Sequence, residues 1–416
     1  MQYKESTVQH CSFCQRKQNE VHKLIVGSEV AICDICFDSI KDLLAQENKP
    51  QTKPKRVKNK IPVPREIKEN LDQIVIGQDH AKIALSVAVH NHYKRLNNKQ
   101  SKSDVEIQKS NVLLLGPTGS GKTLMVKAIA KMLNVPIVIA DATTLTQAGY
   151  VGDDVESLLS KLIQNARGDI DLAEHGIVFI DEIDKIAKMG DSATVTRDIS
   201  GEGVQQSLLK MLEGSVVSVP TEPNKKLGMV ETVEMDTTHI LFICGGAFVG
   251  LDTVLANKQS LNAGIGFSAD VQKKKADWGG LTAQDLVKYG IIPELIGRLP
   301  VITTTEALTK PQLVQVLLEP KDSLVKQYQE LFLPIKLRFD SLALESIADS
   351  AIKLGTGARS LRSILEKKLT PLQFNLSQKN MSGVSSVTIT KAYIEEGVEP
   401  PVKFKRPKKK GNSNES

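Results

Sequence analysis

The chain has 416 residues, 41% of them hydrophobic and 25% charged, with a formal net charge of +6. That length leaves room for two or three domains with real cores, and no run of about 18 apolar residues is present to cross a membrane. The positive charge is local: residues 48–60 and 401–411 each hold six Lys/Arg and no acid, so the rest of the chain carries −6 and is not a basic, nucleic-acid-coating body.

At the N-terminus, Cys11-x-x-Cys14 and Cys33-x-x-Cys36 are separated by 18 residues. Two such knuckles supply four thiolates with the spacing of a tetrahedral zinc site. Lys23–Val26 and Val30–Ile32 between them read as strands. About 45 residues bury too little apolar surface to fold unaided, so a metal would supply much of the stability. Disulfides and free core cysteines are the other readings of these four residues. The lysine-rich stretch that follows reads as a flexible linker.

The apolar run Val112–Leu115 predicts a buried strand, and Gly116-Pro117-Thr118-Gly119-Ser120-Gly121-Lys122-Thr123 follows it directly. A helical pattern through Leu124, Ile129 and Leu133 comes next. Strand, glycine-rich turn and helix start form a phosphate cradle: backbone N–H groups wrap the phosphates, Lys122 reaches the β/γ oxygens, and Thr123 offers its hydroxyl to Mg²⁺. A second buried strand, Ile177–Ile180, ends in Asp181-Glu182-Ile183-Asp184. At its carboxyl end Asp181 would hold Mg²⁺ and Glu182 would polarise the attacking water. Asp184 reads as a cap or solvating group for the following turn. These features predict an ATPase or GTPase. With no signal peptide, they also point to a reducing, cytoplasmic setting, which favours zinc over disulfides at the four cysteines. The fifth cysteine, Cys244, ends an apolar strand pattern and reads as a small core residue.

Further strands are predicted at Val135–Ala140 and Ile240–Cys244, with helices between, such as Val204, Leu208, Met211 and Leu212 on one face. Alternating strands and helices imply an open parallel α/β sheet. The pattern changes at Thr309-Lys310-Pro311, a helix start. Helical patterns at Leu342–Ile352 and Ser360–Leu369 and one late strand around Val387-Thr388-Ile389 predict a mostly helical second domain. The expected organisation is a zinc module at 1–47, linker at 48–62, large α/β domain at 63–308, small helical domain at 309–400, and disordered basic tail at 401–416.

The zinc module, the phosphate loop, Ile177-Val178-Phe179-Ile180-Asp181-Glu182-Ile183-Asp184-Lys185 and Gly297-Arg298-Leu299-Pro300 together resemble the ClpX family of AAA+ unfoldases, over residues 10 to about 395. The resemblance implies ATP, Mg²⁺ and Zn²⁺ as cofactors, a homohexameric ring, and a ClpP-type peptidase as partner. It implies that Leu71–Gln78, with Val75 and Ile76, cups the adenine beside Leu124. Gly149-Tyr150-Val151-Gly152 matches the pore loop that grips polypeptide, and Ile265-Gly266-Phe267 matches the loop that docks on the peptidase. Gly357-Ala358-Arg359 matches the sensor-2 motif, making Arg359 a nucleotide sensor in cis. Arg298 is implied as a finger acting on a neighbouring subunit's nucleotide. Thr196–Gly203 resembles a second pore-facing loop. The zinc module is implied to capture tagged substrates or adaptors and to dimerise. The chain departs from the family at Pro223–Gly228, where an Arg-Lys-His loop is common, and at Cys244-Gly245-Gly246, where a polar sensor-1 residue is common. The alternative, supported by the two lysine-rich stretches, is an AAA+ ATPase acting on nucleic acid, like a helicase loader, with the zinc module and basic tail as DNA contacts. The zinc cysteines, however, lack interleaved basic and aromatic residues.

Overall fold

The computed structural model describes residues 10–27, 30–47, 61–98, 107–146, 153–188, 201–220, 232–255, 278–376 and 383–404. The chain divides into two units, Met1–Lys60 and Ile61–Ser416.

In the first unit, β1 (Leu24–Val26) pairs antiparallel with β2 (Ala31–Cys33), placing Ile25 opposite Ile32, and α1 (Asp34–Glu47) follows. Among the described residues its buried apolar side chains are small ones, Cys11, Ala31 and Cys33, whereas Phe13, Ile25, Val30 and Phe37 are exposed. The apolar burial among the described residues of this unit is therefore small, and the two cysteine knuckles are what draw them together.

The second unit opens with α2 (Pro64–Asp72) and α3 (Asp79–Asn98). β3 (Val112–Leu115) then runs through the phosphate loop into α4 (Lys122–Leu133) and β4 (Ile137–Asp141). The short pair β5 (Leu145–Thr146) and β6 (Asp153–Asp154) comes next, with α5 (Ser157–Asn165) and α6 (Ile170–Ala173) leading to β7 (Ile177–Asp181). Beyond it lie α7 (Glu202–Glu213), the hairpin of β8 (Val216–Pro220) and β9 (Thr232–Asp236), and β10 (Leu241–Gly246). α8 (Ala283–Tyr289), α9 (Pro293–Gly297) and β11 (Val301–Thr304) complete this part.

The main sheet has the order β11-β3-β10-β7-β4, with every pair parallel. Its central strands are apolar up to their carboxyl ends because helices cover both faces. Val112 and Leu114, Ile177 and Phe179, and Leu241 and Ile243 pack with Ile67, Leu85, Val89 and Ile129 on one face. Leu113 and Leu115, Val178 and Ile180, and Phe242 and Cys244 face Leu158, Leu208 and Met211 on the other. Burial pushes the Cys244 thiol up to about 12, as befits a core residue. The four strands expected from the sequence are present, β3 with the ends expected and the other three with an end shifted by one or two residues, and β11 is a fifth. Its four residues, Val-Ile-Thr-Thr, are too short and too polar to stand out, and pairing with β3 is what makes them a strand.

The helical part consists of α10 (Lys310–Leu318), α11 (Leu324–Leu331), β12 (Lys336–Phe339), α12 (Ser341–Lys353), α13 (Arg359–Leu376), β13 (Val384–Ile389), α14 (Lys391–Glu396) and β14 (Val402–Phe404). The Thr309 N–H donates to Gln312 Oε1 at 2.9 Å, capping α10 where the Thr-Lys-Pro signal predicts a start. Two expectations are corrected here. Three strands, not one, form a sheet in the order β12-β13-β14, with β12 parallel and β14 antiparallel to β13. The tail also does not begin as disordered chain: Val402 and Phe404 pair with Val387 and Val384. The alternation Val402-Lys403-Phe404 suits a strand edge, and the lysines around it obscured that signal. Residues 405–416 lie outside the described residues, as does the linker through Lys60.

Candidate functional site

The phosphate loop leaves the carboxyl end of β3, between β11 and β10, where open parallel sheets bind ligands. Gly116, Gly119 and Gly121 all have positive φ, and the turn delivers Lys122 as the first residue of α4. The Lys122 side chain is buried, and its Nζ donates to the Gly116 and Pro117 carbonyls at 2.5 and 3.1 Å. Burial lowers its pKa, opposed by Asp181 and Asp184, while Arg359 adds a further downward push. A desolvated ammonium held inside the loop is suited to phosphate oxygens.

Thr123 Oγ1 donates to Asp181 Oδ2 at 3.0 Å, joining the start of α4 to the end of β7. A hydroxyl and a carboxylate side by side are the hard oxygen donors Mg²⁺ prefers, so the pair fits that ion. Glu182 follows in a left-handed conformation (φ 58), uncommon for a residue with a side chain, and its N–H donates to Asp181 Oδ1. The Asp184 side chain neither solvates nor caps the following turn, the two roles expected from the sequence. It is 2% exposed, and its Oδ1 accepts from the Ala247 N–H at 3.1 Å. It thereby clasps the end of β10, where the sequence departs from a polar sensor. A Cβ at Gly245 would lie 2.7 Å from the Phe179 ring, and one at Gly246 would lie 2.7 Å from Asp184 Oδ1. Side chains are excluded there, and the backbone serves instead: the Gly116 N–H donates to the Gly246 carbonyl at 3.0 Å.

On the other side of the loop, Val75 is buried against the position of Gly121, Ile76 is half-buried beside it, and Leu124 is exposed. The Val75 carbonyl accepts from Lys82 Nζ at 2.6 Å, which fixes this segment to α3. From the helical part, the Ala358 N–H donates to the Gly119 carbonyl at 3.3 Å. Arg359, the next residue, is exposed as the first residue of α13. The structure thus brings Val75, residues 116–123, Asp181, Glu182 and the turn before Arg359 around one loop. Thr305 and Asp184 also belong here; no contiguous motif marks Thr305, and the run that contains Asp184 does not reveal its partner Ala247.

Arg298 caps α9, and among the described residues its guanidinium is held by Glu213. Nε and Nη2 both donate to Glu213 Oε1, at 3.0 and 2.8 Å, and more than half of the side chain is exposed. Tyr150 and Val151, Ile265-Gly266-Phe267, most of the Thr196–Gly203 loop and Pro223–Gly228 lie outside the described residues.

In the first unit, one sulfur from each of Cys11, Cys14, Cys33 and Cys36 lies within 4.8 Å of all the others. Cys14 and Cys33 Sγ are 3.7 Å apart. A tetrahedral zinc with bonds of ~2.3 Å requires sulfurs about 3.8 Å apart, so the cluster fits. Burial disfavours the Cys11 thiolate, yet the N–H groups of Cys14, Cys33 and Phe13 outweigh it and lower its pKa to about 6. Hydrogen bonding with Cys14, then burial, pushes Cys36 up to about 12. Four thiols crowded together cannot all ionise without a cation between them.

Three protein families match the chain. The ClpX C4-type zinc finger covers residues 9–46, the AAA domain (Cdc48 subfamily) covers 107–302, and the C-terminal D2-small domain of ClpB covers 308–389. The chain is 48% identical over 392 residues to the ATP-dependent Clp protease ATP-binding subunit ClpX of Treponema denticola, spanning 92% of this chain and 93% of that one. Among the described residues, no helix is long and apolar enough to cross a membrane.

Proposed function

Because the chain belongs to the ClpX family of AAA+ ATPases, we propose that it is an ATP-dependent unfoldase that threads protein substrates into a ClpP-type peptidase, with its hydrolytic centre at Lys122, Thr123, Asp181 and Glu182. The observation that carries this is the Thr123–Asp181 bond of 3.0 Å beside the buried Lys122, on a loop that Ala358 of the helical part also grips. Loop residues 116–123 wrap the phosphates, and Val75, Ile76 and Leu124 border the base. Thr123 and Asp181 hold Mg²⁺, which supplies positive charge to the phosphate oxygens. Glu182 orients the attacking water and takes up its proton. The nucleic-acid alternative rests on the lysine-rich stretches alone and is not favoured.

Six copies form a ring in which Arg298 leaves Glu213 and reaches the neighbouring subunit's γ-phosphate, where a planar, permanent charge matches the developing anion. Arg359 touches nucleotide bound to its own chain, and Tyr150 with Val151 drags polypeptide along the pore. Ile265-Gly266-Phe267 anchors the peptidase. The zinc module, with Phe13, Ile25, Val30 and Phe37 exposed, dimerises and captures substrates or adaptors. The test is ATP-dependent loss of fluorescence from a tagged, stably folded reporter. Wild type is expected to unfold it, and Tyr150→Ala is expected to keep hydrolysing ATP while unfolding little. Robust ATPase with no reporter unfolded under any tag would overturn the reading.

A further inference from the structure

Thr305, the residue after β11, is a threonine with a buried side chain, 4% exposed. Its N–H and its hydroxyl both donate to the Leu115 carbonyl, at 2.7 and 3.1 Å, at the point where β3 becomes the phosphate loop. With that proton committed, the Thr305 oxygen is the acceptor for the Ser120 hydroxyl, 2.7 Å away. The relay therefore runs one way, from Ser120 to Thr305 to the Leu115 carbonyl. Ser120 is itself 2% exposed, so no solvent competes for its proton.

The same residue lies flush on the start of the loop. A Cβ at Gly116 would stand 2.1 Å from Thr305 Oγ1 and 2.3 Å from its carbonyl oxygen. One residue on, the Glu306 N–H donates to Gln78 Oε1 at 2.8 Å and its carbonyl accepts from Gln78 Nε2 at 2.7 Å. Residues 305–309 then lead directly into α10. The segment connecting the sheet to the helical part is thus hydrogen-bonded to the phosphate loop at Ser120 and to the end of the base-side segment at Gln78.

We propose that Thr305 is a positioning residue for ATP hydrolysis: its hydroxyl sets Ser120 within the phosphate loop and ties that loop to the segment entering α10. Ser120 carries one of the N–H groups expected to cradle phosphate, so a shift of this residue changes ATP binding. Because the other end of the tie is the segment entering α10, a change in loop shape on phosphate binding is transmitted to the helical part. This rests on the reading of residues 116–123 as the ATP site.

The experiment compares steady-state ATPase and ATP consumed per reporter unfolded in full-length wild type, Thr305→Val, Thr305→Ser, Ser120→Ala and the Ser120→Ala/Thr305→Val double variant. Valine keeps the shape but leaves the Ser120 donor buried without a partner, the costly kind of loss. Thr305→Val is expected to raise KM for ATP about 10- to 50-fold with kcat within about 3-fold, because loop placement acts on binding of ground state and transition state alike. It is also expected to consume more ATP per reporter unfolded. Thr305→Ser is expected within about 3-fold of wild type, and the double variant no more than about 2-fold worse than Thr305→Val, since the Ser120–Thr305 bond is already lost in either single variant. Wild-type KM in Thr305→Val, failure of serine to rescue, or effects that multiply in the double variant would each overturn the proposal. Should Thr305→Val not fold, Ser120→Ala decides: its KM must rise, and an unchanged value rejects the tie. A wild type that hydrolyses ATP but unfolds no reporter counts against the unfoldase reading alone, because the KM split is read without substrate protein.

Discussion

Replacing Gly119 by alanine separates two costs that the phosphate loop combines. Gly119 has φ +78, and a Cβ built there would lie 2.2 Å from the Thr356 carbonyl oxygen and 3.1 Å from the Ala358 nitrogen. Left-handed backbone costs a non-glycine residue roughly 1–2 kcal/mol. A carbon and an oxygen rest no closer than about 3.3 Å, so the turn before α13 must retreat by ~1 Å. That retreat breaks the Ala358–Gly119 hydrogen bond, worth about 0.5–1.5 kcal/mol. Gly168 is the matched control: φ is +82, nothing lies within 4 Å of its Cβ position, and it sits in the turn between α5 and α6. Gly168→Ala should lose about 1 kcal/mol of stability through the backbone alone and leave ATP affinity unchanged. Gly119→Ala should lose about 2–3 kcal/mol in total, with at least a tenfold weaker ATP affinity as its distinguishing sign. Thermal melts and titration with a fluorescent ATP analogue read the two quantities. Equal ATP affinity in wild type and Gly119→Ala, or the same loss of affinity in Gly168→Ala, would refute the reasoning that the helical part bears on the loop.

Glu182→Gln should bind ATP within about 3-fold of wild type and lose at least ~100-fold in steady-state turnover, because the amide cannot take the water's proton; normal turnover would reject that assignment. Stripping zinc with a chelator should abolish hydrogen-exchange protection in residues 10–47 and leave the phosphate loop unchanged; protection surviving verified metal loss would show that the small apolar core suffices. His92 is buried, with Nε2 3.0 Å from the His239 carbonyl, and its pKa is lowered to about 3 by burial first and then by Arg95 and Lys109. The unfolded chain takes up this proton near pH 6.5 and the folded chain only near 3, so the stability tied to it is complete above 6.5 and lost as pH falls through that window. Between pH 7.5 and 5 the loss is about 2 kcal/mol. His92→Gln, which keeps a donor, should flatten the melting temperature over that range; an unchanged slope would reject the assignment.

Much of the site is legible in the sequence because its parts are contiguous. A phosphate loop is a run of backbone conformations, and the glycines, Lys122 and Thr123 that produce them are neighbours along the chain. The zinc ligands are likewise two local turns, and the uninterrupted apolar strands state that both sheet faces are covered. Even the Asp181-Glu182 pair needs only the end of one strand. Tertiary structure alone decided what meets these parts. Thr305 lies 185 residues from Ser120, Asp184 lies 63 from Ala247, and Ala358 answers Gly119 from the helical part. No periodicity or spacing reveals these pairings, because each is made of hydrogen bonds whose partners are chosen by packing. β11 and β14 follow the same rule: short segments of modest propensity become strands when a neighbour supplies the other half of the ladder. Local backbone geometry is written in consecutive residues, whereas a hydrogen bond between distant ones exists only once the sheet and helices have brought them together.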